Sequence, residues 1–562
     1  MNLPDIVKSG TRNQYWIFFS ILVALTLFMM LCNGPSSSYS GFDFFFHYRR
    51  LYSLTEAFRL GIYPSYLDFS NVEGYGYFSN GFYPDVILIP FALIGIFTGI
   101  HFAYDFMVFT MTIFCGVFMY HAIRVIFRSR YAAAVGALLY TFAVYRLYDI
   151  YQRGAIAEAF SFTFLPIIFL GLYYIIKGDY KKWYILAIGY SLLIYTHVIS
   201  SVLMFITLLI ILIIYYKPLI KEPRRIAYLF LAGAVTLVIA SFFIFPTLEQ
   251  IQSNSFYLDA RRPGGGAGYG KVGFGLLFWG FASGIAYPKE TLWTGIGAVL
   301  TLILFSRFFM KKQKSEKLRS VDIGVIIGIC FIIASCRIIP WGSFPLNLLG
   351  FIQYPWRLYE FSTFFFAIAG GYYLSLLFVN KKQRVIGLAA VVLVTLVTTY
   401  IHSENFKDLF PKKKKEDIGR SEEPHFYNRY HTIGGEYFPA NLPMIEYIHE
   451  RGEIAEAKNT DTEIAELRRE KNTTIVKVNI SNTDTITLPL LYYYGYSVTL
   501  NEKEVPYFQN DFGLIAVPVN ESGEIKAYYA GTTVRKASYY ISVVAVLVLI
   551  VFIVRTKRRK EK

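Results

Sequence analysis

The chain has 562 residues, of which 55% are hydrophobic, 18% aromatic and 17% charged, and this composition excludes an ordinary soluble protein. Its net charge is +16, but the lysines and arginines stand in short clusters between long apolar runs. This pattern is typical of membrane topology rather than of nucleic-acid binding. We therefore expect an all-α polytopic bundle in the lipid bilayer, with no nucleic-acid partner.

The first apolar run, residues 15–33, follows a basic flank that contains Lys8 and Arg12. The run is longer than the roughly 7 to 15 apolar residues of a signal peptide, and it has no small-residue cleavage site. It is therefore predicted to be a retained first membrane helix.

Basic clusters determine the predicted topology, because lysine and arginine favour the cytoplasmic side of a membrane. They lie at residues 124–130, 177–182, 217–225, 311–319, 381–384 and 555–562. About twelve spans place every cluster inside and leave both termini in the cytoplasm, which predicts a multi-pass protein of the plasma membrane. These spans are 15–33, 102–123, 131–148, 156–176, 183–196, 199–216, 227–245, 291–309, 321–338, 358–379, 384–401 and 539–555.

Two apolar stretches are not predicted to be single membrane spans. Counting residues 83–100 as a span would invert every later loop, so we expect an interfacial or re-entrant helix there. The stretch 183–216 would measure about 50 Å as one helix, which is too long for a single crossing. Thr196 and His197 near its middle are the predicted outer turn.

The predicted domains are a transmembrane domain at 1–401, an extracytoplasmic domain at 402–538, and a last helix with a basic tail at 539–562. The first of these includes outer loops at 34–101 and 246–290. The small domain near the C-terminus is predicted to be β-rich, because alternating and β-branched runs are separated by Asn, Gly and Glu turns. Its tyrosine run at 492–496 is predicted to be strand-like, with one face in the core and the other an aromatic surface that could stack sugar rings. The simpler alternative is that all of these tyrosines serve packing or rest on lipid headgroups. A glycine run at 264–270 lacks the strand and helix of a phosphate loop, and the Lys412 to Lys415 run departs from the charge rule.

Charged residues gather at the predicted outer ends of the helices, where polar groups in membrane segments often mark function. They are Asp43, His47, Arg50, Arg146, Asp149, Arg153, Glu158, His197 and Arg357. The simplest alternative is that each anchors a helix at the headgroup level. Because both signs of charge recur beside Gly and Pro at one membrane level, a shared site is favoured. A carboxylate near several guanidinium groups suits a reaction in which a hydroxyl loses a proton while a phosphate leaves.

Several short motifs occur in a fixed order along the chain. They are D-x3-H-x2-R at 43–50, GIYP at 61–64, FYPD at 82–85, RGAIAE at 153–158, TH at 196–197 and QYPWR at 353–357. In this order they resemble bacterial membrane proteins of the GT-C glycosyltransferase superfamily. Within it they are most similar to the YfhO-like group and to relatives called 6-pyruvoyl-tetrahydropterin synthase-related membrane proteins.

The resemblance implies a GT-C-like fold and transfer of a sugar, with inversion, from a polyprenyl-phosphate donor to a cell-envelope glycan or glycopolymer. It assigns Asp43 as the general base. The residues expected to bind the donor phosphate or support the site are His47, Arg50, Arg153, Glu158, His197 and Arg357. Asp43 has no adjacent second acid, and the four cysteines form no zinc pattern. No cofactor or metal ligand is therefore assigned, and a divalent metal has no support in the sequence.

The sequence is also compatible with two other functions. A transporter or flippase of lipid-linked glycans would also have many helices, but transporters tend to place charged residues near the bilayer midplane. A non-catalytic cell-envelope assembly protein would use the C-terminal domain for binding. In that protein Asp43 would be dispensable.

Overall fold

The computed structural model describes residues 3–35, 41, 43–257, 273, 295–310, 315–409, 432, 435–443 and 445–561. Some predicted features fall outside these residues. They are the glycine run 264–270 with most of the loop 246–290, the Lys412 to Lys415 run, and the start of the basic cluster 311–319.

The N-terminal half is helical. Its helices are α1 (Leu3–Asn33), α2 (Phe44–Arg59), α3 (Ser79–Phe82), α4 (Ile89–Thr98), α5 (Ile100–Phe127), α6 (Arg130–Thr141), α7 (Val144–Leu147), α8 (Ile156–Ile176), α9 (Tyr184–Ile194), α10 (Val198–Ile214), α11 (Tyr216–Lys221) and α12 (Arg224–Ser253). A π-helical segment, Tyr148–Arg153, lies between α7 and α8.

The C-terminal half begins with helices and continues into strands. The helices are α13 (Ala298–Leu304), α14 (Glu316–Ala334), α15 (Tyr359–Leu377), α16 (Lys381–Leu409), α17 (Ile445–Arg451) and α18 (Thr533–Glu561). Between the last two lie β1 (Glu456–Ala457), β2 (Glu463–Glu470), β3 (Thr473–Asn479), β4 (Asp484–Leu491), β5 (Tyr496–Leu500), β6 (Lys503–Glu504), β7 (Phe508–Gln509), β8 (Leu514–Val519) and β9 (Gly523–Tyr529).

Within the described residues, six helices are long and apolar enough to cross a membrane. They lie at Asn13–Asn33, Ile100–Phe127, Ile156–Ile176, Arg224–Ser253, Lys381–Glu404 and Thr533–Arg558. Each of the twelve predicted spans overlaps a helix, and several of those helices are shorter. A multi-pass membrane protein is thus supported, while the number twelve stays a prediction.

The structure shows how the apolar stretches 83–100 and 183–216 divide into helices, while the interfacial or re-entrant placement of the first stretch stays a prediction. In the run 83–100 the main helix is α4, whose ten residues measure about 15 Å, half of the ~30 Å hydrocarbon core. The stretch 183–216 breaks between α9 and α10, where His197 caps the start of α10. The predicted break is confirmed.

The chain forms two compact units. The first comprises Met1–Phe44, Tyr104–Thr236 and Pro263–Lys415. The second comprises Phe45–Ala103, Leu237–Arg262 and Glu416–Lys562. The second unit thus combines the first predicted outer loop with the C-terminal β region.

The β region contains two antiparallel sheets, with strand orders β1-β4-β8-β7 and β2-β3-β9-β5-β6. Side chains from both sheets meet in one buried cluster that includes Val476, Ile486, Val517 and Ile525. Buried side chains alternate with half-buried ones around Ile486 in β4 and Ile525 in β9, whereas β3 and β8 contain runs of consecutive buried residues. A β-rich region near the C-terminus is confirmed, while the domain bounds 402–538 stay a prediction.

The predicted strand through the tyrosine run is wrong. Strand β4 ends at Leu491 and β5 begins at Tyr496, so the intervening tyrosines lie in a connection. Gly495 in this connection has φ +119, which side chains rarely adopt and which interrupts the strand. Tyr493 is fully buried, and its hydroxyl donates to the Tyr437 carbonyl at 3.1 Å.

Candidate functional site

The candidate site lies in the first unit, where the chain enters α8. Gly154 has φ +69, so it ends the π-helical segment and lets α8 begin two residues later. The segment before α2 packs against this turn, and a Cβ added to Gly41 would lie 2.7 Å from the Gly154 nitrogen. The Asp43 main-chain N–H donates to the Arg153 carbonyl at 2.7 Å. These contacts place Asp43 beside Arg153.

Arg153 is the centre of a network of carboxylates. Its Nη1 atom lies 2.8 Å from Asp149 Oδ1 and 2.8 Å from Glu158 Oε2. Its Nη2 atom lies 4.0 Å from Asp43 Oδ2. Asp149 and Glu158 are fully buried, so they fix the guanidinium group in a position facing Asp43.

A second arginine reaches the same carboxylate from a distant part of the chain. The Nε atom of Arg357 lies 3.1 Å from Glu158 Oε2, and the Tyr145 hydroxyl donates to Oε1 at 2.6 Å. Arg357 also donates to the Ile352 carbonyl and to Gln353 Oε1. Glu158 therefore lies between two guanidinium groups, and removing one partner of such a buried pair typically costs about 3–5 kcal/mol.

Asp43 differs from the other carboxylates of the network because it keeps access to solvent. Its side chain is 24% exposed, against 0% for Asp149 and 1% for Glu158. Desolvation raises the pKa of Asp43 above its usual value, and Glu158 raises it further, while Arg153 and Arg357 oppose the shift. A raised pKa and an accessible carboxylate suit a general base.

His197 joins the site through a chain of hydroxyl groups. Its Nδ1 atom lies 2.8 Å from Ser200 Oγ, and Ser200 donates to Glu360 Oε2 at 2.6 Å. The other oxygen of Glu360 accepts from Ser161 on α8. Burial lowers the pKa of His197 to about 3, against the opposing effect of Glu158, so the imidazole ring is neutral at physiological pH.

The structure brings together Asp43, Arg153, Glu158 and Arg357, with His197 connected through the serines. His47 and Arg50 belong to the second unit, where Arg50 Nη1 lies 3.4 Å from His47 Nδ1. Arg50 also donates from Nη2 to the carbonyls of Tyr83 and Pro84 at 3.1 and 2.8 Å. Burial lowers the pKa of Arg50 to about 10.

Sequence reasoning did not assign Glu360, Tyr145, Ser161 or Ser200 to the site. A signal existed for Glu360, because it lies three residues after Arg357 and begins a long apolar helix, where a carboxyl group is rare. Asp149 stood among the charged helix ends, but its contact with Arg153 depends on the π-helical turn. Serine and tyrosine hydroxyls are common in apolar helices and gave no signal.

Within the described ranges, no group of three or more His, Cys, Asp or Glu side chains has an arrangement that could hold a metal ion. The carboxylates of the network are paired with arginine instead. No residues are therefore assigned to a metal.

Comparison with known proteins supports membrane insertion. Residues 82–259 match the family described as a 6-pyruvoyl-tetrahydropterin synthase related domain, a membrane protein. The match includes Arg153, Glu158 and His197 and leaves out Asp43 and Arg357. Together with the long apolar helices, it defines a multi-pass membrane protein.

A relative similar over nearly the full length is an uncharacterized protein of Lactococcus lactis subsp. cremoris (strain MG1363). The two chains are 21% identical over 622 aligned residues, and the alignment covers 97% of this chain and 96% of the relative. The similarity therefore extends over both units.

Proposed function

We propose that this chain is a membrane glycosyltransferase. It transfers a sugar from a polyprenyl-phosphate donor to a cell-envelope glycan or glycopolymer outside the cytoplasm, with inversion at the anomeric carbon. In this proposal the protein lies in the plasma membrane with both termini in the cytoplasm and the site at the outer face. The sugar donor and the acceptor are its substrates.

The proposed step requires one base and a set of cations. The hydroxyl oxygen of the acceptor attacks the anomeric carbon, and its proton passes to the carboxylate of Asp43. The bond between the anomeric carbon and the phosphate oxygen breaks, and its electron pair stays on the phosphate. Guanidinium groups stabilise this charge through charge-assisted hydrogen bonds.

The observation that carries the proposal is the pairing of Asp43 with Arg153. Asp43 combines partial exposure with a raised pKa, and the nearest guanidinium nitrogen lies 4.0 Å away. At that separation the carboxylate is not held in a tight ion pair, so it can accept a proton. Arg153 is held from behind by Asp149 and Glu158, so its position does not depend on a substrate.

The test is transfer by the purified protein with radiolabelled polyprenyl-phosphate sugars, wild type against Asp43→Asn. The change keeps the size of the side chain and removes the base, so we expect turnover to fall by about 10² to 10⁴-fold. Asp511→Asn is the matched control, because the same change there affects an exposed residue of the β region. A loss of less than tenfold in a folded Asp43→Asn protein would remove Asp43 from the role.

The same assay separates the other two functions. A transporter of lipid-linked glycans would move the donor across a vesicle membrane without releasing polyprenyl phosphate. An assembly protein would show neither activity, and cells carrying Asp43→Asn would keep a normal envelope. Release of polyprenyl phosphate that depends on both the acceptor and Asp43 supports the transferase.

A further inference from the structure

The carboxyl group of Glu360 joins three helices in the interior of the first unit. It lies in the first turn of α15, is fully buried, and accepts hydrogen bonds from Ser161 on α8 and from Ser200 near the start of α10. Ser161 is one turn after Glu158, just as Glu360 is one turn after Arg357. The two segments therefore meet twice, through the Arg357–Glu158 ion pair and through the Glu360–Ser161 hydrogen bond.

The hydrogen-bond chain contains more contacts than the serines have protons. Ser161 Oγ also lies 2.5 Å from the Glu158 carbonyl, which can only accept. Ser200 Oγ also lies 2.8 Å from His197 Nδ1. Each hydroxyl has a single proton, and His197 Nδ1 already accepts from the Ser200 main-chain N–H at 3.3 Å. With Nδ1 as an acceptor, two hydroxyl protons serve four contacts when Glu360 is ionised. A proton on Glu360 adds one hydrogen-bond donor to the chain, and this is true for either tautomer of His197.

The surroundings of Glu360 also oppose a negative charge. Among the described residues, no Lys, Arg or His nitrogen lies within 4.0 Å of its carboxyl oxygens, whereas Glu158 contacts two arginines. A buried carboxylate that no cation pairs with is costly, and the serines together supply only two neutral donors. The start of a helix favours an anion, but this effect is small beside the cost of burial without a partner.

We propose that Glu360 is held as a neutral carboxylic acid and that it is a positioning residue, which fixes His197 through Ser200. The functional part of this inference rests on the proposed transferase function. His197 is close enough to Glu158, Arg357 and Arg153 for their charges to affect its pKa. A hydrogen-bonded acid that orients Ser200 therefore also sets the direction of the imidazole ring at the edge of the arginine network.

Glutamine distinguishes the neutral acid from the carboxylate. Its amide has one acceptor oxygen and one donor group, as a protonated carboxyl does, while a carboxylate only accepts. We expect Glu360→Leu to lower kcat/KM by about tenfold or more, the size typical of supporting partners, and Glu360→Gln to restore it to near the wild-type value. Glu360→Leu should add little to the loss caused by His197→Ala, because both changes disturb one chain of contacts.

A second measurement does not depend on activity. The infrared spectrum of wild-type protein minus that of Glu360→Gln at neutral pH should contain the carbonyl band of a protonated carboxylic acid. The infrared result tests the protonation of Glu360 even if Glu360→Leu does not fold or the protein shows no sugar transfer. An absence of sugar transfer would overturn the proposed function but not the neutral state of Glu360. The inference is overturned if the band is absent, if Glu360→Gln is as impaired as a folded Glu360→Leu, or if the losses from Glu360→Leu and His197→Ala add fully.

Discussion

Asp43 and Arg153 contact each other twice, once through the main chain and once through their side chains. The amide of Asp43 donates to the Arg153 carbonyl at 2.7 Å, while Oδ2 lies 4.0 Å from Nη2. The main-chain bond sets the position, and the longer side-chain separation leaves the carboxylate free to accept a proton. This arrangement, the buried acids of both units and the predicted topology each have consequences that can be measured.

The first concerns pH. Burial raises the pKa of Asp43 above its ordinary value of 3.8, and a general base acts only when it is deprotonated. Activity should therefore be full above the raised pKa and fall as the pH decreases through it, at a higher pH than for an exposed aspartate. The measurement is kcat/KM against pH, with thermal unfolding at each pH as the control. A profile that stays flat down to about pH 4 would contradict the assignment.

The second concerns the close approach of two backbone segments. A Cβ on Gly41 would lie 2.7 Å from the Gly154 nitrogen, and a Cβ on Gly154 would lie 2.5 Å from the Phe44 nitrogen. Alanine at either position should push Asp43 away from Arg153, and displacement of about 1 Å can lower a rate by about 10²-fold. Gly233→Ala is the control, since its Cβ would meet nothing within 4 Å. Equal activity in Gly41→Ala and Gly233→Ala would show that the approach does not matter.

The third concerns the stability of the arginine network. Arg153→Ala leaves Asp149 and Glu158 without their shared partner, and we expect a loss of about 3–5 kcal/mol. Arg59→Ala removes an ion pair with Glu56 whose side chains are 50% and 26% exposed, and we expect a loss of about 0–1 kcal/mol. Thermal unfolding in detergent should separate the two variants clearly. Equal unfolding midpoints for Arg153→Ala and Arg59→Ala would mean that solvent or another cation neutralises the charge of Asp149 and Glu158.

The fourth concerns Asp85, which lies in the second unit before α4. Burial raises its pKa to about 6 from 3.8, against the opposing effect of Arg50. The folded protein therefore binds this proton more tightly than the unfolded chain, and the contribution to stability is present at low pH and lost as the pH rises through about 6. A shift of about two pKa units corresponds to about 3 kcal/mol. Asp85→Asn should raise the unfolding midpoint at pH 7 and leave it unchanged near pH 4, with Asp511→Asn showing neither effect.

The fifth concerns orientation in the membrane. Single cysteines are placed at the exposed positions Lys181 and Ser522 in a variant without native cysteines, because Cys330 is itself exposed. The predicted topology expects only membrane-permeant thiol reagents to reach position 181 in intact cells, and impermeant reagents to reach position 522. Reversed labelling would place the proposed site on the cytoplasmic side and exclude an extracytoplasmic reaction.

Parts of the site could be predicted because polar residues in apolar surroundings are conspicuous. Asp43, Arg153, Glu158 and Arg357 all stand at the ends of apolar runs, and the structure brings them into one network. Their pairing could not be predicted, since Glu158 and Arg357 are far apart in the chain and no spacing rule joins them. The contact between His47 and Arg50 fits their helical spacing, because residues three apart on a helix are neighbours.

The long apolar helices were predicted correctly because hydrophobic length is a strong signal. Local backbone conformation was harder to predict. The run from Tyr492 to Tyr496 has the composition of a strand, but the positive φ of Gly495 divides it. Tyr493 then points into the core, where the sequence alone predicted a regular alternation.

The composition of the second unit has a consequence for the order of events during synthesis. Its buried cluster combines Tyr75 and Phe78 from the first segment with Val476 and Ile525 from the last. At about 5–20 residues per second, the ribosome needs on the order of a minute to proceed from residue 103 to the end of the chain. Throughout that time the aromatic side chains of the first segment lack their final neighbours. Newly made chains should therefore be most vulnerable to proteolysis between residues 45 and 103 until translation is complete.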